Sequence, residues 1–465
     1  MRPKEPPATT PDDLFRARLS NIINPRHALV RLAQLIDWRM FETAFGPLYA
    51  EVGRPGLPTR LLVGLHLLKH ISNLSDEAVC AGWVENPYYQ HFCGLDYFQH
   101  ELPIDRSSMT RWRERIGPGG MEVLLKATIE AGLDGGVVAP KELERVTVDT
   151  TVQPKAVAHP SDARLYHRGR EILVRLAAKH GLGLRQSYAR LGKRALRKAG
   201  TYLHARQTNR AKREIKRLKT FLGRVSRDVR RKLAGNQALA PHFARALALV
   251  DRLLAQQRHD TGKLYSLHAP EVECLAKGKA HKKYEFGVKV SVAVTNRSGF
   301  VLGMMALPGN PYDGHTLQAA AGQVERLTGT PVARLYVDRG YRGHNDRGKD
   351  RVFLSGQRRG LTPTIRKELR RRSAIEPAIG HMKTDGRLGR NYLLGTLGDA
   401  INAILAGVGH NLRLILNRLR ALFALVIIAL LLSRCRKPKG KSSRRGKNRV
   451  IHGRLLSMSR RRLDI

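Results

Sequence analysis

Strand-forming texture occurs in two separate places in this chain, and the long stretch between them is basic and helical. In ERVTVDTTVQP the β-branched run Val146-Thr147-Val148 leads into Asp149, a pattern that favours a half-buried strand. From 161 to 265 the period changes. Ile215, Leu218, Leu222, Val225 and Val229 recur at steps of three and four, an amphipathic stripe with arginines around it. Strand texture resumes at KYEFGVKVSVAVT and SGFVLGMMALP, with Asn296-Arg297-Ser298-Gly299 between them as a hairpin turn. DGHTLQAAAGQVERL then predicts a helix with Asp313 as its cap, and PVARLYVDRGYRG a short apolar strand ending at Asp338. RVFLSG predicts a shorter strand. The helix after it starts near Pro363 and runs through IRKELRRRSAIEPAIGHMK, where Pro377 is expected to kink or divide it. A first strand cut off from its sheet by helices requires the sheet to close over an insertion. The remaining order, strand, strand, strand, helix, strand, short strand, helix, predicts a mixed α/β sheet.

Residues 1–24 are Pro-rich and predict a flexible start, and 25–138 read as a helical domain. PTRLLVGLHLLKHI opens with Pro58 where proline suits a helix start, and Ser75-Asp76-Glu77 opens another helix. In DRSSMTRWRERIG, Ser107 or Ser108 is placed to cap a helix carrying Arg111 and Arg113, and Gly117 to stop it. Two helices joined in this way suit a major groove, which makes Arg111 and Arg113 candidate DNA contacts; a solvated basic face accounts for the same residues. The sheet is expected from 139–160 and 266–400, the basic helical insertion from 161–265, a C-terminal helix from 401–433, and a disordered basic tail from 434–465.

The chain carries 84 Lys and Arg against 38 Asp and Glu, a formal charge of +46. Such an excess suits a polyanion whose counterions it displaces, so nucleic acid is the leading partner and an anionic membrane surface the second. Enzyme, regulator and packaging protein all remain open on charge alone. Cys80, Cys93, Cys274 and Cys435 lie far apart without zinc spacing, which fits a reduced, cytosolic chain. The apolar run Ala421–Leu432 is shorter than the roughly 20 residues of a spanning helix, so a buried or interface helix is expected there and no membrane partner.

Three carboxylates stand where the predicted topology lets them converge: Asp149 on the first strand, Asp338 at the end of a later one, and Glu376 on the following helix. An ionised Asp149 inside a β-branched run is costly unless paired, hydrogen-bonded or bound to metal. Gly340 lets the backbone turn sharply after Asp338. Glu376 has a plainer explanation as an ion-paired helix residue among arginines. Together, the three supply the hard oxygen ligands of phosphoryl transfer with two divalent cations. His381 in IEPAIGHMK and His315 in DGHT look ligand-like, although a histidine near such a helix is more often a hydrogen-bonded structural residue, and Asp385 sits in a basic turn where local ion pairing suffices.

VTVDTTVQPKAVAHPSDARLY, HKKYEFGVKVSV, GNPYDGHT, YVDRGYRG and RRRSAIEPAIGHMKTDGRLGRNYL closely resemble the DDE transposases of the insertion-sequence-five-like group, over most of residues 30–420. The resemblance implies an RNase H-like catalytic core in which Asp149, Asp338 and Glu376 bind Mg²⁺, with Mn²⁺ able to substitute. It also implies cleavage at transposon terminal inverted repeats, strand transfer into target DNA, a homodimer or higher assembly on DNA, and a cytoplasmic, nucleoid-associated protein. Arg372 and Lys383 match the arginine before the family's glutamate and the lysine seven positions after it, and are the implied DNA contacts at the cut. Leu369 stands where the wider clan has a tyrosine, so no phenol contact is expected from that position. A DNA-binding protein without activity and a structure-specific nuclease are the competing readings.

Overall fold

The structure is a computed structural model that describes residues 17–435 apart from 50–51, 53–55, 277–282, 347 and 349–350. Most of the predicted flexible start and nearly all of the basic tail therefore lie outside the described residues. The described residues up to 420 form one compact unit, and those from 421 onward belong to a second whose described part is helical backbone.

Seven helices precede the sheet among the described residues: α1 Leu19–Ile22, α2 Ala28–Leu35, α3 Trp38–Phe45, α4 Thr59–Ile71, α5 Asp76–Glu85, α6 Pro87–Phe92 and α7 Ser107–Asp134. α4 starts on Pro58, and Ser75 caps α5 by accepting from the Ala78 N–H. The α7 cap differs from expectation. Asp105, two residues ahead of Ser107, accepts from both the backbone N–H and the hydroxyl of Ser107. Its carboxylate outcompetes a serine hydroxyl for the unsatisfied donors of a first turn. Gly117 (φ +60°) breaks α7 in the middle, and helical backbone resumes directly after it.

The sheet has six strands: β1 Arg145–Pro154, β2 Glu273–Ala276, β3 Tyr284–Thr295, β4 Val301–Leu307, β5 Arg334–Val337 and β6 Val352–Leu354. β1 is central. It pairs antiparallel with β3 on one edge and parallel with β5 on the other, and β6 continues parallel beyond β5. β2 and β4 pair antiparallel with β3. β2 has no counterpart in the sequence reading, because ECLA is too short and too mixed to carry a strand signal. The close β1–β3 approach requires Gly287, where an added Cβ would lie 2.0 Å from the Gln153 carbonyl oxygen.

Between β1 and β2 come α8 Asp162–Lys179, α9 Ala189–His204, α10 Thr208–Ala234 and α11 Ala240–Ala255, packed around their own apolar cluster. Leu218, Leu222, Val225 and Val229 form the buried side of α10. The larger cluster joins the N-terminal helices to the sheet, so these are not separate cores: Gly132 of α7 abuts the ring of Phe300, with 2.6 Å to an added Cβ.

After β4 come α12 Leu317–Thr328, α13 Pro363–Arg370, α14 Ile375–Asp385 and α15 Gly395–Cys435. The expected division near Pro377 falls earlier, in a 3-10 turn over Arg371–Ala374, and Pro377 occupies the first turn of α14, where a missing N–H costs nothing. The run Ala421–Leu432 lies within the backbone of α15, and nothing is described of its side chains beyond Ala421. No helix among the described residues is long and apolar enough to cross a membrane. Lys155, at the end of β1, is buried between Asp399 (2.9 Å) and Glu271 (2.8 Å), which ties α15 to the central strand.

Candidate active site

The β1–β5 register runs through Val146↔Leu335 and Thr147↔Tyr336. Asp149 and Asp338 both lie two residues past that last pair, so the register carries them to the same level on strands about 5 Å apart. β5 stops at Val337 while β1 continues to Pro154, which leaves the edge of β1 beside Asp149 uncovered by a strand. Asp149 faces Val292 of β3 across its other edge, so its carboxylate is partly buried and looks out only along this open edge.

Arg372 joins the third acid to the first. Its guanidinium lies 3.5 Å from Asp149 Oδ2 and 3.5 Å from Glu376 Oε1. Asp149 also accepts from the Thr150 N–H (2.8 Å), and Asp338 from the Gly340 N–H (2.8 Å), which opens the turn Arg339–Tyr341. Burial pushes the Asp149 carboxyl up to about 6, with the negative charges of Asp338 and Glu376 adding to the rise and the Thr150 N–H and Arg372 opposing it. Tyr341 stands in the same field. Its hydroxyl is buried without a hydrogen-bond partner, and burial together with Asp313, Asp149 and Asp338 raises its pKa far above the ordinary value.

Asp313 is the residue whose place the sequence misassigned. It does not cap α12; its Oδ1 accepts from Thr150 Oγ1 (3.1 Å) and Lys289 Nζ (3.0 Å), which brings a fourth acid beside β1. The signal available was GNPYDGHT, a polar loop placed directly after the hairpin. Lys383 lies seven residues past Glu376 on α14, close to the same helix face. Arg111 is exposed, whereas Arg113 is 3% exposed and forked on Asp76 at 2.9 and 2.6 Å, with Lys69 also on Asp76. Arg113 thus holds α7 to α5 and is not presented to a phosphate. His381 pairs with Asp385 on the exposed side of α14.

Among the described residues no group of three or more His, Cys, Asp or Glu is placed to hold a metal ion as it stands. The site nevertheless fits a hard cation. Its donors are carboxylate oxygens, the Tyr341 hydroxyl is orphaned among three of them, and the positive charge balancing Asp149 and Glu376 comes from one arginine at 3.5 Å.

A mixed α/β sheet with acids at its central strand, on a chain of formal charge +46, suits the class of proteins that bind a polyanion. Comparison with known families narrows the class. Residues 17–115 match the family model described as Transposase domain (DUF772), and residues 257–411 match the Transposase DDE domain. The "Uncharacterized protein ORF8 in nfe locus" of Rhizobium meliloti is 61% identical over 207 residues, covering 44% of this chain and 100% of that protein. No solved structure matches. The chain thus carries two transposase domains, the second of them a DDE domain.

Proposed function

We propose that this transposase, of the insertion-sequence-five-like group, cuts DNA at transposon terminal inverted repeats and joins the cut end to target DNA, with Asp149, Asp338 and Glu376 as the residues that hold Mg²⁺ or Mn²⁺. The observation that carries the reading is the raised pKa of Asp149, buried in the field of Asp338 and Glu376 and bridged to Glu376 by Arg372. An RNase H-like core is supported by the strand order, three antiparallel strands (β4, β3, β1) continued by two parallel ones (β5, β6), with acids on the central strand and at the end of its parallel neighbour.

When bound, divalent cations supply polarisation of the phosphoryl oxygens and a lowered pKa for the attacking water or 3′-hydroxyl. The chain's own residues do the positioning. Asp149 is fixed by the Thr150 N–H and Asp338 by the Gly340 N–H, so two carboxylates are aimed before DNA arrives. Arg372 lies beside both Asp149 and Glu376, where it neutralises charge and can turn to a phosphate oxygen. Lys383 contacts a phosphate near the cut, and exposed Arg111 and the basic faces of α8–α11 hold DNA further out. A homodimer or higher assembly on DNA completes the proposal.

The test is cleavage of end-containing DNA by the purified full chain with and without Mg²⁺. Parent protein cuts only with the metal and then joins ends to a target plasmid. Asp338→Asn and Glu376→Gln lose both steps and keep most DNA affinity. Variants that cut and join as well as the parent would end the proposal, and cutting without joining would mark a nuclease.

A further inference from the structure

On the face of β1 that carries Asp149, a second charged feature lies toward the start of the strand. Side chains alternate along a strand, so Arg145, Thr147 and Asp149 share one face, and Arg145 lies about 13 Å from Asp149 along it. Two adjoining clefts meet there, both lined by Arg145, Arg297, Glu368 and Arg371; Lys141 belongs to one and Lys367 to the other. Glu368 does not neutralise them all. Its carboxylate is 10% exposed and already taken by Arg145 (3.1 Å), Arg334 (2.8 Å) and the Tyr336 hydroxyl. Glu142, the other acid in the lining, accepts from the Ser298 N–H. Among the described residues Lys141, Arg297, Lys367 and Arg371 are exposed and none has an acidic partner. Arg371 adjoins Arg372, so one short turn faces both the acid site and the cleft.

We propose that this cleft is a second backbone-phosphate site for DNA, in line with the acid site. The inference rests on the reading that Asp149 marks the scissile phosphate. Phosphates recur along every DNA strand, so a backbone phosphate a few steps from the cut comes within reach of Arg145. Two DNA segments have this chemistry, the strand flanking the cut end and the target duplex.

The experiment uses the full chain with Arg297→Gln, Lys367→Gln and Arg371→Gln together, and measures binding to a 30-base-pair mixed-sequence duplex as salt is varied. Each lost phosphate contact flattens the slope of log affinity against log salt by about 0.9, so the triple variant loses about 2 to 3 from its slope. Arg297→Lys with Arg371→Lys restores the parent slope, because a point charge suffices. Lys367→Gln alone, on an exposed helix face, flattens it by about 0.9 and covers the case in which the triple variant folds poorly. Loss of end cleavage assigns the site to the flanking strand; intact cleavage with weakened joining to plasmid assigns it to target. A slope equal to the parent's in Lys367→Gln and in the folded triple variant overturns the proposal. Parent protein that makes no metal-dependent cut would end the proposed activity instead, and leave the cleft to be judged on the slope.

Discussion

Asp149→Asn separates the cost of the acid from its use. The carboxyl is 18% exposed, and its pKa rises from the ordinary 3.8 to about 6. Between about pH 4 and about pH 6 the folded chain keeps a proton that the unfolded chain has released, so stability falls as pH rises through that window. Above it the ionised group destabilises the metal-free fold by about 3 kcal/mol, at 1.36 kcal/mol for each pH interval of one. Asparagine keeps the acceptor for the Thr150 N–H and removes the charge. Unfolding entropy of about 2.1 cal/mol/K per residue over roughly 400 residues gives about 0.8 kcal/mol per degree, so the variant should melt about 4 °C higher at pH 7.5. Near pH 4 the two proteins should melt together. Millimolar Mg²⁺ should raise the parent's melting temperature, more so above pH 6 than below it, and leave the variant unmoved, because a ligand that binds only the folded state stabilises it. Calorimetry at several pH values with and without Mg²⁺ checks each point. A variant that melts at or below the parent at pH 7.5, by the same margin at pH 4, would refute the burial argument. An equal Mg²⁺ shift in both would remove Asp149 from the metal site.

Lys383→Ala should leave metal-dependent melting shifts intact and slow end cleavage about tenfold to a hundredfold, read by single-turnover kinetics. Arg113→Ala should cost about 3 kcal/mol in urea denaturation, because it strips Asp76 of its forked partner in a buried setting, without a specific change in DNA affinity. Arg111→Ala should do the reverse, with unchanged stability and a salt slope flatter by about 1 if it touches a phosphate. Neutralising exposed Arg194, Arg197 and Arg213 of α9 and α10 together should weaken duplex binding and flatten its salt dependence without lowering the melting temperature; unchanged binding would leave those faces merely solvated.

What the sequence made legible was local. The β-branched run before Asp149, the hairpin around Asn296–Gly299 and the α10 stripe each carry their own period, and each forms the element that period predicts. What it hid was decided by partners distant in sequence. Asp313 looks like a helix cap because an acid ahead of a helix usually is one, and only the arrival of Thr150, 163 positions earlier, gives its carboxylate another donor. Arg113 looks exposed because it sits in a basic run, yet Asp76, 37 positions earlier, turns it inward. β2 was invisible because four residues at a sheet edge need no pattern of their own when β3 supplies the ladder.

The same distinction bears on how DNA is held. Because α2–α7 and the sheet share one apolar cluster, a duplex held at Arg111, as proposed, would stand at a fixed distance from Asp149 and could not be adjusted by hinging a separate domain. The helices α8–α11 are built differently, around a second cluster that contributes no residue to the first. They leave the sheet after β1 and return at β2, so the strand that carries Asp149 is the strand from which they depart. DNA contacts made by their basic faces would therefore bear on the position of β1 itself, while a contact at Arg111 would bear on the frame around it. If DNA aligns the acids, the basic insertion is the element placed to do it: removing its surface charge should slow cutting more than the loss of affinity explains, whereas Arg111→Ala should slow cutting only in proportion to lost binding, and equal proportionality for both, measured at saturating DNA, would show that neither aligns the site.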